Sequence, residues 1–489
     1  MYSARQHPLR LLAYTTRYFW LLIIPLARSL YSLTFEFNAL RVWLEGAWLD
    51  LLVLGSIILF AWVRWMSVRF SFDDKKIILY RGVYFTSQDT VYYSNISTIS
   101  ITQNVLYRLL GASTVYIGTN SGKTDRADLT VIMRRADADR LYESIKDSRQ
   151  KNLSYSTMPN KLRLIVFSMF FSSALSGVII ILALLWETSK ILDREVETRL
   201  ILDTLTEAAR RVSVFVPPII SIINIIIIFA WSLSFVSNLF MFWGFVLTKC
   251  SDSIYVKSGV VTKSRHILRR DKINYLDLKQ SFSSKVFNVS SLHLNCAGYG
   301  SRGRHELSVV LPITTRKEIN STLKEVFPEY PRPKIELKSH PGSYLSFYLH
   351  PAILAAIPIL AFEVFYYFLP SWYAVAYPAF AISLIPALWL AMCRTLSMFT
   401  TGVGFSDGYI TMRYSRFYTF HTIIAPKDRI ARAVIRQSPF QRFADRCTLI
   451  IYTSSESDSK HMMLGLPLRR TLELLSENGF DLYYSENPA

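Results

Sequence analysis

One pattern, met three times along the chain, limits its fold more than any other feature. Residues 96–111 read ISTISITQNVLYRLLG, residues 273–288 read INYLDLKQSFSSKVFN, and residues 430–445 read IARAVIRQSPFQRFAD. In each, an isoleucine is followed by a glutamine and then a basic residue at fixed spacing: Ile96, Gln103 and Arg108; Ile273, Gln280 and Lys285; Ile430, Gln437 and Arg442. A period this long marks a repeated structural unit, so each local motif has to be read against its copies. Ile77, Gly82 and Val115 align without a gap with Ile254, Gly259 and Leu292. The third copy continues the match at Leu449 but has Arg416 where the others have glycine, which predicts a different first hairpin.

Apolar runs precede each copy. Six stretches, near 9–31, 47–66, 162–186, 215–246, 351–369 and 372–392, have roughly the 20-residue length that a helix needs to cross about 30 Å of hydrocarbon. HPLRLL at 7–12, MPNKLRL at 158–164 and HPAIL at 350–354 each put a proline just before such a run, where a first helical turn has no use for the missing N–H. At 51% hydrophobic residues the chain is too apolar for a string of soluble domains. Arg10 and Arg17 in the first run, with no small-residue cleavage site after it, indicate a retained anchor.

The net charge of +19 follows from topology without invoking nucleic acid. Most Lys and Arg fall in the N-terminal tail, the two long segments between helix pairs and the C-terminal segment, which places those parts and both termini in the cytoplasm. The outer loop 187–213 is the local exception, its basic residues being matched by acidic ones. Its apolar spacing, through Ile191, Leu192, Val196, Leu200, Ile201, Leu205 and Ala208, suits an amphipathic helix packed within the protein.

The segments after the helix pairs are rich in short alternating runs, as in KIILYRGVYFT, SIYVKSGVVTKSRHILRR and YITMRYSRFYTFHTII, which read as antiparallel hairpins. Each segment ends in a helical pattern, at 136–150, 314–327 and 468–479. A twisted sheet or small barrel closed by one helix is expected. The YRGVYF hairpin, the glutamine-to-basic segment ending in RLLGASTVYI, and the paired helices ahead of each unit resemble the bacterial pleckstrin-homology (PH) domain family of the membrane-flanked type. In layout the chain is similar to the YdbT-like group with three such domains.

The apolar runs predict an α+β polytopic membrane protein with six transmembrane helices in three pairs, and the resemblance implies the PH-like fold of the segments after them. Each pair would be followed by a cytoplasmic PH-like β-barrel or sheet capped by a C-terminal helix. The expected division is helix pair 1 at 1–66, PH-like domain 1 at 67–150, helix pair 2 with its outer loop at 151–246, domain 2 at 247–330, helix pair 3 at 331–396, and domain 3 with a tail at 397–489.

No catalytic constellation is legible: a GxxxxGK[ST] loop and HExxH are both absent, and the serine clusters lack His and acid partners. His293, Cys296 and His305 are too loosely spaced for a zinc site, and four cysteines do not indicate a disulfide framework. No enzyme activity, metal or cofactor is expected. Lys263, Arg265, Arg269 and Arg270, with Arg429, Arg432 and Arg436, form a candidate surface for anionic lipid or a partner. A solvated basic surface is the plainer reading, and alternation would send Arg269 and Arg270 to opposite faces. Glu363 is a candidate intramembrane polar site, and Asn224 with Pro217 and Pro218 is a candidate break in the fourth run.

The repeat itself carries a structural signature. Gly111, Asn288 and Asp445 share a position, and these residue types tolerate a left-handed backbone. Gln103, Gln280 and Gln437 are expected to latch backbone groups that leave the strand there, with Leu106, Leu109 and Leu110 tucked inward.

The leading function is a non-enzymatic membrane scaffold for protein assembly in the bacterial inner membrane. The resemblance adds a smaller single-PH-domain membrane protein as companion, homo- or hetero-oligomers, and a role in envelope or antimicrobial-stress resistance. A transporter or lipid-handling protein and an anionic-lipid sensor are the alternatives.

Overall fold

A computed structural model describes residues 2–18, 37–119, 128–147, 153–159, 161–172, 207, 218–296, 309–370, 373–454 and 460–480. The first module contains β1 (Tyr2–Arg5), α1 (Arg10–Arg17), α2 (Phe37–Ser67), β2 (Arg69–Phe72), β3 (Lys76–Arg81) and β4 (Ser87–Tyr92). It continues through β5 (Ile96–Gln103), α3 (Val105–Leu109), β6 (Ala112–Thr119), β7 (Leu129–Arg134) and α4 (Arg135–Asp147). The second repeats this order as β8 (Leu153–Thr157), α5 (Lys161–Phe171), α6 (Pro218–Phe242), β9 (Val246–Cys250), β10 (Ser253–Ser258) and β11 (Lys263–Arg269). Its second half is β12 (Ile273–Ser281), α7 (Phe282–Val286), β13 (Val289–Cys296), β14 (Val309–Thr315) and α8 (Arg316–Val326). The third comprises β15 (Leu337–Lys338), α9 (Tyr344–Phe368), α10 (Tyr373–Thr400), β16 (Gly402–Ser406), β17 (Tyr409–Arg416) and β18 (Thr419–Pro426). It closes with β19 (Ile430–Arg436), α11 (Pro439–Phe443), β20 (Arg446–Thr453), β21 (Lys460–Pro467) and α12 (Leu468–Glu477).

The expected six spans in three pairs are corrected. Among the described residues three helices are long and apolar enough to cross a membrane: Asn224–Phe242, Tyr344–Phe368 and Ser383–Thr400. The apolar part of α2, Leu51–Ser67, is shorter. Residues 19–31 and 173–186 of two expected spans, and all of the outer loop 187–213 except residue 207, lie outside the described residues.

The barrel is corrected as well, and the sheet order gives the reason. Among the described residues no module closes its two half-sheets on each other. Strand β11 instead pairs with β5 of the preceding module, giving a seven-stranded sheet ordered β7-β6-β5-β11-β10-β9-β8. Likewise β18 pairs with β12, giving β14-β13-β12-β18-β17-β16-β15. The ends of the row are a four-stranded sheet, β1 to β4, and a three-stranded sheet, β19 to β21. Edge groups that a barrel would satisfy internally are satisfied here by the neighbouring module.

Each shared sheet walls off two cores, because successive residues of a strand face opposite sides. On β11, Ile267 is buried in the first module's core with Ile99, Ile101 and Val115. Its neighbour Leu268 is buried in the second module's core with Leu276 and Leu294. Cys250 and Tyr255 join Ile267 in the first core. At the next wall Ile424 of β18 enters the second core and Tyr275 of β12 enters the third. A buried Ile or Leu contributes about 1.5–3 kcal/mol by leaving water, so each core borrows stability from its neighbour's strands.

Glycine decides two of the three equivalent hairpins. Gly82 has φ +147° and Gly259 φ +91°, and a Cβ there would stand 2.2 Å from the Phe85 carbonyl oxygen or 2.0 Å from that of Thr262. In the third copy, Arg416 pairs with Thr419 across a two-residue turn in which Phe417 itself takes φ +51°.

Candidate functional site

The repeated glutamine leads into the site. After β5, β12 and β19 the chain makes one short helical turn, α3, α7 or α11, and the residue after the glutamine caps it. Asn104, Ser281 and Ser438 accept from the backbone N–H of Tyr107, Ser284 and Gln441 respectively, satisfying a donor that a helix start leaves open. The glutamine amide ties the exit strand to the next one. Gln103 Nε2 donates to Ser113 Oγ at 2.5 Å, Gln280 Nε2 to the Val289 carbonyl at 3.0 Å, and Gln437 Nε2 to the Arg446 carbonyl at 2.6 Å. Gly111, Asn288 and Asp445 follow the turn with φ of +66°, +53° and +50°.

These turns do not bury their apolar side chains, which corrects the inward placement expected for Leu106, Leu109 and Leu110. They are 53%, 78% and 50% exposed. Val286, Phe287, Phe440 and Phe443 of the other copies are exposed too. So are the hairpin tips: Val83, Tyr84 and Phe85 in the first module, Val260 and Val261 in the second, and Phe417 and Tyr418 in the third.

Hairpins and turns lie at one end of the β row, the end from which the apolar helices emerge. The N–H groups of Gly259 and Val260 donate to the carbonyls of Trp243 and Phe240 at the close of α6. Phe282 packs its ring 4.9 Å from Trp389 on α10, Tyr418 donates to the Pro386 carbonyl, and Gln441 Nε2 donates to Ser346 Oγ on α9. The result is an apolar rim around the helix ends. Exposed apolar residues at turn tips, where polar residues are usual, were the available sequence signal for it.

The basic residue of the repeat is an inter-module clasp. Arg108 Nη1 donates to the Val260 carbonyl of the next module at 3.0 Å. Lys285 Nζ donates to Thr400 Oγ1 at 3.0 Å and stands 3.8 Å from the centre of the Phe420 ring. Burial, then the nearby Arg413, pushes the Lys285 amine down to about 8.

The candidate basic surface is dispersed rather than gathered into one pocket. Lys263 and Arg436 sit at strand ends near the rim, and Arg432 midway along β19. Arg265 reaches the first module's helix α4, pairing with Asp139 at 2.9 Å. Arg269 and Arg270 lie at the opposite end, because β9 runs away from α6 and the turn at Ser251–Asp252 marks its far limit. There Arg269 pairs with Asp271 at 2.6 Å and donates to the Ser94 carbonyl, and Arg270 pairs with Glu329 at 2.5 Å. Both line a cavity of about 790 Å³ that also contains Lys75 and four carboxylates, Asp74, Asp252, Asp271 and Glu329. That balance does not single out an anion. Arg429 Nη2 donates to the Asp271 carbonyl at 3.0 Å and so joins the second and third modules. Glu363 is exposed on α9, while its neighbour Phe362 packs 4.7 Å from Phe380 of α10.

Two buried polar contacts in the junctions had no legible signal, because their partners are distant in sequence. His266 Nδ1 meets Ser100 Oγ at 2.7 Å, and burial pushes this imidazole down to about 4. His421 Nδ1 meets Asp277 Oδ2 at 2.9 Å. Burial pushes the Asp277 carboxyl up, but His421 and Lys279 outweigh it and hold the group at about 2. Cys250, Cys296, Cys393 and Cys447 are buried and outside any disulfide, and among the described residues no cluster of His, Cys, Asp or Glu has metal-binding geometry. His305 lies outside the described residues.

Three stretches of the chain, residues 21–149, 200–326 and 350–477, match the family described as Bacterial PH domain. No curated protein and no solved structure matches the chain.

Proposed function

Since the chain belongs to the bacterial PH domain family, we propose that it is a non-catalytic, membrane-anchored scaffold that holds its modules as one stiff row for the assembly of other proteins. The shared sheets carry this reading. Modules joined by flexible linkers would move independently, whereas β5·β11 and β12·β18 join them through continuous strand pairing and interleaved cores. The apolar helices of membrane length and the exposed rim beside them support placement of the row against a bilayer. The basic bias of the β-rich segments supports the cytoplasmic face of a bacterial inner membrane. Within this reading the nearest partner class is a smaller single-domain membrane protein of the same family, and the setting is envelope or antimicrobial-stress resistance.

Crosslinking followed by mass spectrometry in the native membrane tests the scaffold. Links from the β row to another protein are expected; purely internal links, with the chain recovered as a monomer, would remove the reading's support.

A specific observation favours a second reading, in which the rim itself binds lipid. Tyr84, Phe85 and Phe443 are each more than 90% exposed next to the helix ends, and aromatic side chains suit the membrane interface. This reading predicts apolar insertion rather than recognition of one anionic headgroup. Phe85→Ser with Phe443→Ser should raise protease access to the hairpins in liposomes, and unchanged access would count against it.

A further inference from the structure

The internal junctions imply an external one. Each junction mates two kinds of edge: a plug, the strand before the glutamine turn, and a socket, the last strand of the following module's first half-sheet. In the first junction Gln103 opposes Lys263 and Thr98 opposes Leu268. In the second, Gln280 opposes Phe420 and Leu276 opposes Ile424. In the repeat alignment these are the same register used twice. Among the described residues one socket and one plug have a single sheet neighbour: β4, paired with β3, and β19, paired with β20.

We propose that β19 of one copy adds to β4 of a second copy in this same register, extending the row head to tail along the membrane. The register places Arg436 opposite Ser87, Ile435 opposite Gln88, Val434 opposite Asp89, Ala433 opposite Thr90, and Arg432 opposite Val91. Residues two apart along a strand share a face, so Asp89 falls diagonally between Arg432 and Arg436. Asp89, which pairs with Arg81 of its own hairpin at 3.1 Å, would share its charge with these arginines, whereas β19 against a second β19 would set arginines against arginines. Strand β4, SQDTVY, is mostly polar, which suits a strand exposed before assembly.

A second observation points the same way. The clasps Arg108 and Lys285 both reach the following module, Arg108 at its hairpin and Lys285 at the end of α10 beside the Phe420 ring. Arg442 holds the same place in the third copy and is exposed. Its counterpart target is the Val83 carbonyl of a second copy. Because Gln437 and Thr86 both stand at the rim end of their strands, the second copy's helices would emerge on the same side and enter the same bilayer. The joint is heterologous, so it propagates into a ring or an open row.

The proposal rests on the shared-sheet construction behind the scaffold reading but not on any other protein, so it is tested with the purified full chain in liposomes. Two differently tagged copies, one carrying Gln88→Cys and the other Ile435→Cys, are co-reconstituted and oxidised. The native cysteines are buried and give little background. A mixed disulfide is expected for this pair and not for Gln88→Cys with Ala431→Cys, four residues out of register. Arg442→Ala should cut the yield about fivefold, the worth of one hydrogen bond near 1 kcal/mol. Absence of the mixed disulfide from correctly folded variants, or equal yields in and out of register, would overturn the proposal. The unsubstituted protein gives an answer independent of variant folding. Its mass in detergent should rise with concentration, and a monomer throughout would also overturn it.

Discussion

The Gln280 amide, near the end of β12, holds the carbonyl of Val289, the first residue of β13. Gln280→Leu removes that donor and leaves the carbonyl without it, and should destabilise the second module by about 1 kcal/mol, read as a lower denaturation midpoint. Chemistry at His266 is sensitive to pH in a defined window. Its folded pKa, about 4, lies below the ordinary 6.5, so the fold favours the neutral ring. That contribution is complete above pH 6.5 and is lost as pH falls toward 4, a change of about 3 kcal/mol if the shift acts in full. Acid unfolding of the first junction should flatten over this range in His266→Gln. Asp277 acts lower. Its stabilisation is present above its ordinary 3.8 and disappears as pH falls through about 2.

At the scale of elements, the hairpins and the shared strands make separate demands. Gly259→Ala adds a Cβ 2.0 Å from a backbone oxygen at φ +91°, a strained position that should cost about 1–3 kcal/mol. The third hairpin, which does without glycine, should be indifferent to the change. Strand β11 belongs to one module by sequence and to two by packing. Ile267→Ala should therefore cost about 2–4 kcal/mol and lower hydrogen-exchange protection in β6 of the first module more than in β13 of its own. The residue pattern of β11 shows why this was hard to read. KSRHILR has polar residues at one end and apolar residues on both faces at the other, so alternation alone identifies a strand without saying that each face has its own core.

For the whole molecule, the junctions make the modules interdependent. A fragment of residues 247–330 would expose β11 without β5 and β12 without β18, and would take Ile267 and Tyr275 away from the cores that bury them. Expressed alone it should be aggregated or molten, seen as poor dispersion of its NMR signals. Partner binding is therefore better sought with the intact protein, and substitutions at a junction should perturb two modules together.

The sequence by itself determined the repeat, the hairpins, the glutamine turns and the apolar runs, because each depends on spacing within a few residues or on local backbone geometry. Gly111, Asn288 and Asp445 at one position are legible in that way. The direction of Leu109 and Phe443 was not, because an apolar side chain at a turn is compatible with a core or with a rim beside membrane helices until the strands fix which end faces which. Only the tertiary structure decided that β5 takes β11 as its neighbour. A strand's edge carries backbone donors and acceptors common to every residue, so the sequence specifies an edge that must be paired without naming the strand that pairs with it.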